Sequence, residues 1–217
     1  MELFSRSVAV LMLIILFPLV LCICIISLIF QGSPIIFRQE RIGHNYTPFV
    51  LYKFRSMINN NYGKKITDLK DTRITLLGKI LRASKLDEIP QLLNIVKGDM
   101  RFIGPRPEVK SFIRNNDFSF LTRIKPGLTD FSSILFRNES EILSRAGGLE
   151  KYPKLLELKI ALGHLYAEHK GFWLDMKLVF LTVIAIIFPN IAILCINKLF
   201  INKYQPELIS NINIWIK

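Results

Sequence analysis

Leu81-Arg-Ala-Ser-Lys-Leu-Asp-Glu-Ile-Pro-Gln-Leu-Leu-Asn-Ile-Val-Lys-Gly98 carries two patterns at once, one of helix formation and one of clustered charge. Ile89, Leu92, Leu93 and Val96 recur at helical spacing, and Gly98 is a usual helix terminator. Pro90 belongs in the first turn of such a helix, where its missing N–H would be unpaired anyway. Asp87 then falls near the N-cap and Glu88 just inside, where free backbone N–H groups and the positive end of the dipole gather. A phosphate can bind at such a point, and a carboxylate there stays ionised and able to act as a nucleophile. Two adjacent carboxylates can also share a divalent metal or divide the roles of nucleophile and base. Acidic residues at helix starts are ordinary capping groups, so the pair alone favours a structural role. The basic residues around it shift that balance. Arg82 and Lys85 precede the pair, Arg101 and Arg106 follow, and arginine forks match phosphate oxygens two at a time. Gly104-Pro105-Arg106-Pro107 holds Arg106 on a stiff backbone.

Upstream, Leu76, Leu77, Ile80 and Leu81 recur at helical spacing after Asp71. Met57 to Asp68 is polar and turn-rich, as expected of a mobile loop. Pro34–Gln39 and Pro48–Phe54 are short and rich in β-branched and aromatic residues, and Gly43-His44-Asn45-Tyr46 separates them, which predicts an antiparallel hairpin. Arg41, Lys53 and Arg55 make this hairpin basic, suiting lipid headgroups or a substrate phosphate. Before it, Val8–Phe30 contains no charged residue, and a continuous helix over that stretch would be roughly 34 Å long, enough to cross a bilayer core. Pro18 stands near its middle, where proline kinks or breaks a helix. Either a kinked helix spans the bilayer or a broken one enters and leaves by the same face. In both cases lysines and arginines crowd after Phe30, so the main domain is expected in the cytoplasm.

Downstream, Lys125-Pro126-Gly127-Leu128-Thr129 is expected to be a loop, and Leu149–His169 a mostly exposed helix. His164 and His169 are five apart and off a common helical face, so they make a weak metal pair. Phe172–Ile201 is apolar apart from a few polar positions. Its aromatic-rich amphipathic start suits a helix lying in a membrane interface.

Of the 217 residues, 51% are hydrophobic, yet the formal charge is +12. An apolar chain that is also basic suits an anionic membrane surface or anionic substrates. Nucleic acid is disfavoured as a partner, because the apolar residues are concentrated in two blocks that a soluble nucleic-acid binder would not need. Cys22, Cys24 and Cys195 lie inside those blocks, an odd count with no disulfide framework. A P-loop, a dinucleotide-binding glycine pattern and serine, cysteine or lysine nucleophile motifs are all missing from the sequence.

Several segments in order resemble the bacterial sugar transferase family, the monotopic phosphoglycosyl transferases that prime glycan assembly on undecaprenyl phosphate. They are Gly32-Ser-Pro-Ile-Ile-Phe-Arg-Gln-Glu-Arg-Ile-Gly43, Tyr52-Lys-Phe-Arg-Ser-Met57, Asp71-Thr-Arg-Ile-Thr75 and Ser84–Met100. Gly104–Pro107, Lys125–Thr129 and Phe172-Trp-Leu-Asp-Met-Lys177 complete the series. The resemblance implies an α+β, mainly helical fold. It comprises an N-terminal re-entrant membrane helix broken at Pro18 (residues 1–31), a cytoplasmic catalytic domain with an associated β-hairpin (32–171), and an interfacial, apolar C-terminal segment (172–217). It further implies that a sugar-1-phosphate moves from a UDP-sugar to undecaprenyl phosphate, with UMP released. Such a step opens bacterial polysaccharide or glycoconjugate synthesis at the inner, cytoplasmic membrane.

By position, Asp87 matches the family's nucleophile, which becomes a covalent aspartyl-phosphosugar, and Glu88 matches its partner in proton handling. Mg²⁺ near Asp87 is the expected cofactor. Arg82 and Arg106 match phosphate-supporting arginines, and Arg137, Lys53 and Arg55 are further candidates for substrate contact. Membrane lipid is an expected partner, and a homodimer is one form the chain could take. Phe17-Pro18 departs from the family's frequent Ser-Pro. Asp130-Phe131-Ser132-Ser133 replaces the commoner Gly-Trp-Ala-Gln, which leaves the sugar open. The rival is a non-catalytic membrane-surface protein that binds anionic lipid or a partner, although such a patch gains nothing from Asp87 and Glu88.

Overall fold

A computed structural model describes residues 2–58 and 71–216, so most of the loop expected over Met57–Asp68 lies outside the described residues. The chain opens with helix α1 (Glu2–Gln31), followed by strands β1 (Ile36–Ile42) and β2 (Pro48–Phe54), helix α2 (Leu76–Ala83), a 3-10 turn (Leu86–Gln91) and helix α3 (Leu92–Lys97). Strand β3 (Arg101–Ile103), helix α4 (Lys110–Ile113), strand β4 (Gly127–Thr129) and helices α5 (Phe131–Leu135) and α6 (Glu139–Arg145) come next. Helices α7 (Tyr152–His169), α8 (Phe172–Ile187), α9 (Pro189–Ile196), α10 (Asn202–Tyr204) and α11 (Glu207–Ile216) complete a mainly helical fold with two small sheets.

α1 is long and apolar enough to cross a membrane, and only 11% of its most apolar window is buried. Pro18 lies inside it rather than between two helices. The proline removes a single donor, and the hydrogen-bonded turns on either side carry the helix through. Its two ends rest on the same body of protein. Glu2 pairs with Lys125 at 3.0 Å, the guanidinium of Arg6 covers Gly98, and Gln31 accepts from Thr75 Oγ1 at 3.3 Å. Between those points Ala9 packs with Leu92, Ile95 and Met100, and Ile23 with Phe54 and Leu81.

β1 and β2 form the expected antiparallel hairpin, in register from Ile36↔Phe54 to Ile42↔Pro48. β1 starts two residues later than expected, since Pro34 has no N–H to give to a ladder. Asn94 of α3 fastens the outer edge of β2. Its Nδ2 donates to Val50 O at 2.6 Å and its Oδ1 accepts from Tyr52 N at 3.2 Å, so one fully buried amide stands in for a third strand.

The segment Lys125–Thr129, expected as a loop, contributes β4 instead, which pairs in parallel with β3. The backbones of Gly104 and Gly127 touch, and a Cβ on Gly127 would lie 2.2 Å from Gly104 N. Both positions therefore require glycine. α7 also differs from expectation. Leu155, Leu162, Leu165 and Tyr166 are among ten buried residues along it, because its apolar side chains run round the helix instead of along one stripe. Tyr166 Oη donates to Asp175 Oδ1 at 2.7 Å, which fixes the base of α8 to α7.

Candidate active site

The carboxylate pair does not sit at an α-helix N-terminus, as its spacing from Pro90 suggests. Lys85 adopts a left-handed conformation (φ 59°), Leu86–Gln91 winds as a 3-10 turn containing Asp87 and Glu88, and α3 begins only at Leu92. Lys85 at positive φ turns the chain after α2 into this 3-10 segment, and regular α-helix follows only from Leu92. Cationic side chains rather than a helix dipole therefore create the positive field around the pair.

Those cations come from two distant segments. Lys53 Nζ on β2 reaches Glu88 Oε1 at 2.8 Å, and Arg106 Nη2 from the Gly104–Pro107 turn reaches the same oxygen at 2.7 Å. Burial pushes the Glu88 carboxyl up, but Arg106 and Lys53 outweigh it and hold Glu88 well below the usual carboxylate range. The Glu88 carboxylate in turn raises Arg106, while burial pushes Lys53 down. Asp87, only 7% exposed, has the opposite setting: its Oδ1 is buried without a partner among the described residues, and burial raises its carboxyl despite Lys53, Lys85 and Arg82 nearby. Two neighbouring carboxylates are thus driven apart, one firmly paired and one with an oxygen to spare, a pattern of divided roles.

The remaining sequence candidates fall into two groups. Arg82, Lys85 and Arg137 line the same cleft as the pair. Lys85 Nζ lies 3.4 Å from Arg137 O, Arg137 Nη2 donates to Ala83 O at 3.3 Å, and Arg82 Nη1 lies 3.6 Å from the sulfur of Met57. Arg55 also borders the cleft, but its guanidinium is spent on the carbonyls of Gln31, Gly32 and Ser33, where it closes the end of α1. His164 pairs with Asp117 and stacks edge-on against Phe120, while His169 lies against Tyr204, so neither faces the site.

A second ionic cluster beside Arg106 escaped the sequence. Buried Glu108 accepts from Lys159 at 2.8 Å and Arg41 at 3.2 Å, and Lys159 also reaches Glu139 at 3.2 Å. The available signals were a carboxylate directly after Pro107 and a lysine within the apolar run of α7.

The cleft has a volume of about 1560 Å³, beyond the roughly 300–1,000 Å³ of a single small-molecule pocket. Its floor is the charged set just described. Met12 and Leu16 of α1, Leu128, and Ala185 and Ile186 of α8 also line it, so charged and apolar side chains share one cleft. No group of three or more His, Cys, Asp or Glu gathers as metal ligands among the described residues. A Mg²⁺ held by one carboxylate and by substrate phosphates needs no such cage, and the unpartnered Oδ1 of Asp87 fits that mode.

Residues 1–189 match the sequence profile of the bacterial sugar transferase family. The chain is 37% identical over 186 residues to a UDP-glucose:undecaprenyl-phosphate glucose-1-phosphate transferase of Klebsiella pneumoniae, covering 81% of this chain and 37% of the relative. It is 30% identical over 173 residues to a UDP-N-acetylgalactosamine-undecaprenyl-phosphate N-acetylgalactosaminephosphotransferase of Aeromonas hydrophila, covering 76% of this chain and 38% of that protein. The chain thus spans less than two fifths of the length of these curated relatives. With the exopolysaccharide production protein ExoY of Sinorhizobium fredii it shares 32% identity over 202 residues, 84% of this chain and 83% of the relative.

Proposed function

Because this chain belongs to the bacterial sugar transferase family, we propose that it transfers a sugar-1-phosphate from a UDP-sugar to undecaprenyl phosphate. The observation that carries this reading is the buried carboxylate oxygen of Asp87, unpartnered among the described residues, beside a fully paired Glu88 in a cleft lined by both cationic and apolar side chains. A diphosphate needs the cations, and a lipid phosphate needs the apolar approach.

In the first half-reaction a carboxylate oxygen of Asp87 attacks the sugar-linked phosphorus. The bond from that phosphorus to the oxygen bridging the two phosphates breaks, and UMP leaves with the electron pair. In the second, an oxygen of undecaprenyl phosphate attacks the same phosphorus and displaces the carboxylate. Burial that destabilises the ionised Asp87 makes it the better nucleophile. Arg106 and Lys53 hold the Glu88 carboxyl below its usual range. Its role is to fix Lys53 and Arg106 where the diphosphate charge develops. Arg82, Lys85 and Arg137 supply further positive charge on the nucleotide side. Mg²⁺ would be held by Asp87 and the substrate phosphates, and supplies Lewis-acid neutralisation of the diphosphate.

The same reading puts the catalytic body on the cytoplasmic face of the inner membrane, with α1 seated in the membrane along that face and both of its ends on the same side. The contacts of Glu2 with Lys125 and of Gln31 with Thr75, about 45 Å apart along the helix, support the same-face reading. The named relatives act on different sugars, so the assay is a panel of UDP-sugars with undecaprenyl phosphate and Mg²⁺, scored for UMP release. One member of the panel is expected to turn over, with a phosphosugar adduct on the peptide containing Asp87. Absence of UMP from every UDP-sugar, with vesicle binding intact, would favour the rival lipid-binding role.

A further inference from the structure

The family match ends at residue 189, and the apolar C-terminal stretch is longer than an interfacial helix requires. Its geometry is that of a closed helical hairpin. α8 ends at Ile187, Phe188 leaves the helical region (φ −129°, ψ 69°), and α9 restarts on Pro189, whose missing N–H is harmless in a first turn. The two legs return to one another, since Lys177 near the base of α8 lies over the ring of Phe200, 5.7 Å from its centroid. One side of the hairpin is sealed on the core by Leu178, Leu181, Ala185, Ala192 and Ile196, and Phe200 stacks on Phe131. The segment past residue 189 is therefore part of the packed body.

The other side has no protein cover among the described residues. Phe180, Ile187, Phe188, Ile191 and Leu194 are each half or more exposed. No charged residue occurs from Leu178 to Asn197, whereas Lys177, Lys198 and Lys203 stand at the base with Asp175. Charge at the base and none along the legs or at the tip is the arrangement of an element that enters hydrocarbon from a polar surface. Each leg of ten or so residues is about 15 Å long, half of a hydrocarbon core of roughly 30 Å. Ala185 and Ile186 of this hairpin line the same cleft as Met12 and Leu16 of α1.

We propose that α8 and α9 form a second membrane wedge, with the Phe188–Pro189 bend dipping into the acyl chains of one leaflet. The occupant of this face is bilayer lipid, and the lysines at its base meet anionic headgroups. The wedge and α1 together flank the cleft, so the lipid substrate's tail would reach the site without leaving hydrocarbon. This inference rests on the proposal that α1 is seated in the membrane.

The test uses the full chain with Cys22, Cys24 and Cys195 replaced by serine and one cysteine placed at Phe17, Phe188, Leu194 or Asn115. Each variant carries an environment-sensitive fluorophore in phosphatidylethanolamine–phosphatidylglycerol vesicles, and quenching by nitroxide-labelled acyl chains is measured. Probes at positions 188 and 194 are expected to be quenched like the probe at 17, on the order of fivefold more than the one at exposed, polar-flanked Asn115. Quenching at 188 and 194 no greater than at 115 overturns the wedge. Quenching at 17 reports the seating of α1 separately, and UMP release from the same vesicles reports the reaction. A dimer-sized particle that shields 188 and 194 from aqueous quencher, without lipid quenching, would assign the face to a second copy and also overturns the proposal.

Discussion

Arg106 Nη2 lies 2.7 Å from Glu88 Oε1, a charge-assisted bond that joins the Gly104–Pro107 turn to the 3-10 turn carrying the carboxylate pair. The bond leaves the Arg106 guanidinium on a stiff backbone with donors to spare. Because Lys53 shares the same oxygen, one carboxylate sets the position of two cations from two other elements. Glu88 is therefore as much an architectural residue of the site as a chemical one.

Replacing Glu88 by glutamine leaves Lys53 and Arg106 close together with their nearest counter-charge gone and only Asp87, Glu108 and Glu139 in the neighbourhood. Removing one partner of a buried pair costs about 3 kcal/mol, so Glu88→Gln should unfold at lower denaturant and lose turnover. Glu88→Gln combined with Arg106→Gln should recover part of the stability and none of the activity. The pH dependence has a definite sign. The folded-state pKa of Glu88 lies below its ordinary value of 4.5, so its stabilising share is complete above that value and is lost as pH falls through the depressed folded value. Denaturation curves of Glu88→Gln should lack that acid-side loss. An unchanged midpoint at neutral pH would refute the pairing.

Asp87 behaves the other way. Its folded-state pKa is raised above 3.8 by burial, so ionising it costs stability. Asp87→Asn should abolish turnover while raising Tm, each kcal/mol being worth about 2–4 °C in a chain of this size. The gap between variant and wild type should be widest above the raised folded pKa and close as pH falls below the ordinary value, where both carry a neutral side chain. A Tm that falls in Asp87→Asn would show that Lys53 and Lys85 outweigh burial.

What the sequence revealed, and what it hid, follows from the range of the interactions. Local patterns were readable: the uncharged run of α1, the hairpin, the stop at Gly98, and the density of charge around Asp87 and Glu88. Lys53, Arg106 and Arg137 could be named as candidates, but their positions depend on pairings across tens of residues that periodicity does not encode. The 3-10 turn was hidden because Lys85 at positive φ is a choice made by packing, not by propensity. β3 and β4 were hidden because three residues are too few for alternation to register. α7 was misjudged as exposed because charged residues interrupt its apolar run, and one of them, Lys159, is buried in an ionic cluster with Glu108 and Glu139.

Asn94 links the fold to the site through the edge of β2. Asn94→Ala would strip partners from the Tyr52 N–H and the Val50 carbonyl, which flank the start of the run into Lys53. Two lost bonds at a buried edge amount to about 2–3 kcal/mol, and a freed β2 carries Lys53 away from Glu88. The variant should therefore lose kcat as well as stability, with faster amide exchange at Tyr52. Full kcat in the remaining folded protein would show that Lys53 is held by Glu88 alone.

Lys85 lets backbone and charge be separated at one position. At φ 59° and ψ 14° a side chain costs on the order of 1 kcal/mol relative to glycine, and the ammonium itself faces the cleft beside Arg137. Lys85→Gly and Lys85→Ala both delete the charge, but only the first relieves the strain. The glycine variant should therefore be the more stable of the two by roughly 1 kcal/mol, less a few tenths for its looser unfolded chain. If the ammonium meets the diphosphate, kcat/KM should fall equally in both, and Lys85→Arg should restore part of it. If activity instead tracks stability and recovers in the glycine variant, Lys85 matters only for the turn that presents Asp87. The comparison needs no knowledge of which sugar is carried, since both variants are scored against wild type on whichever UDP-sugar turns over.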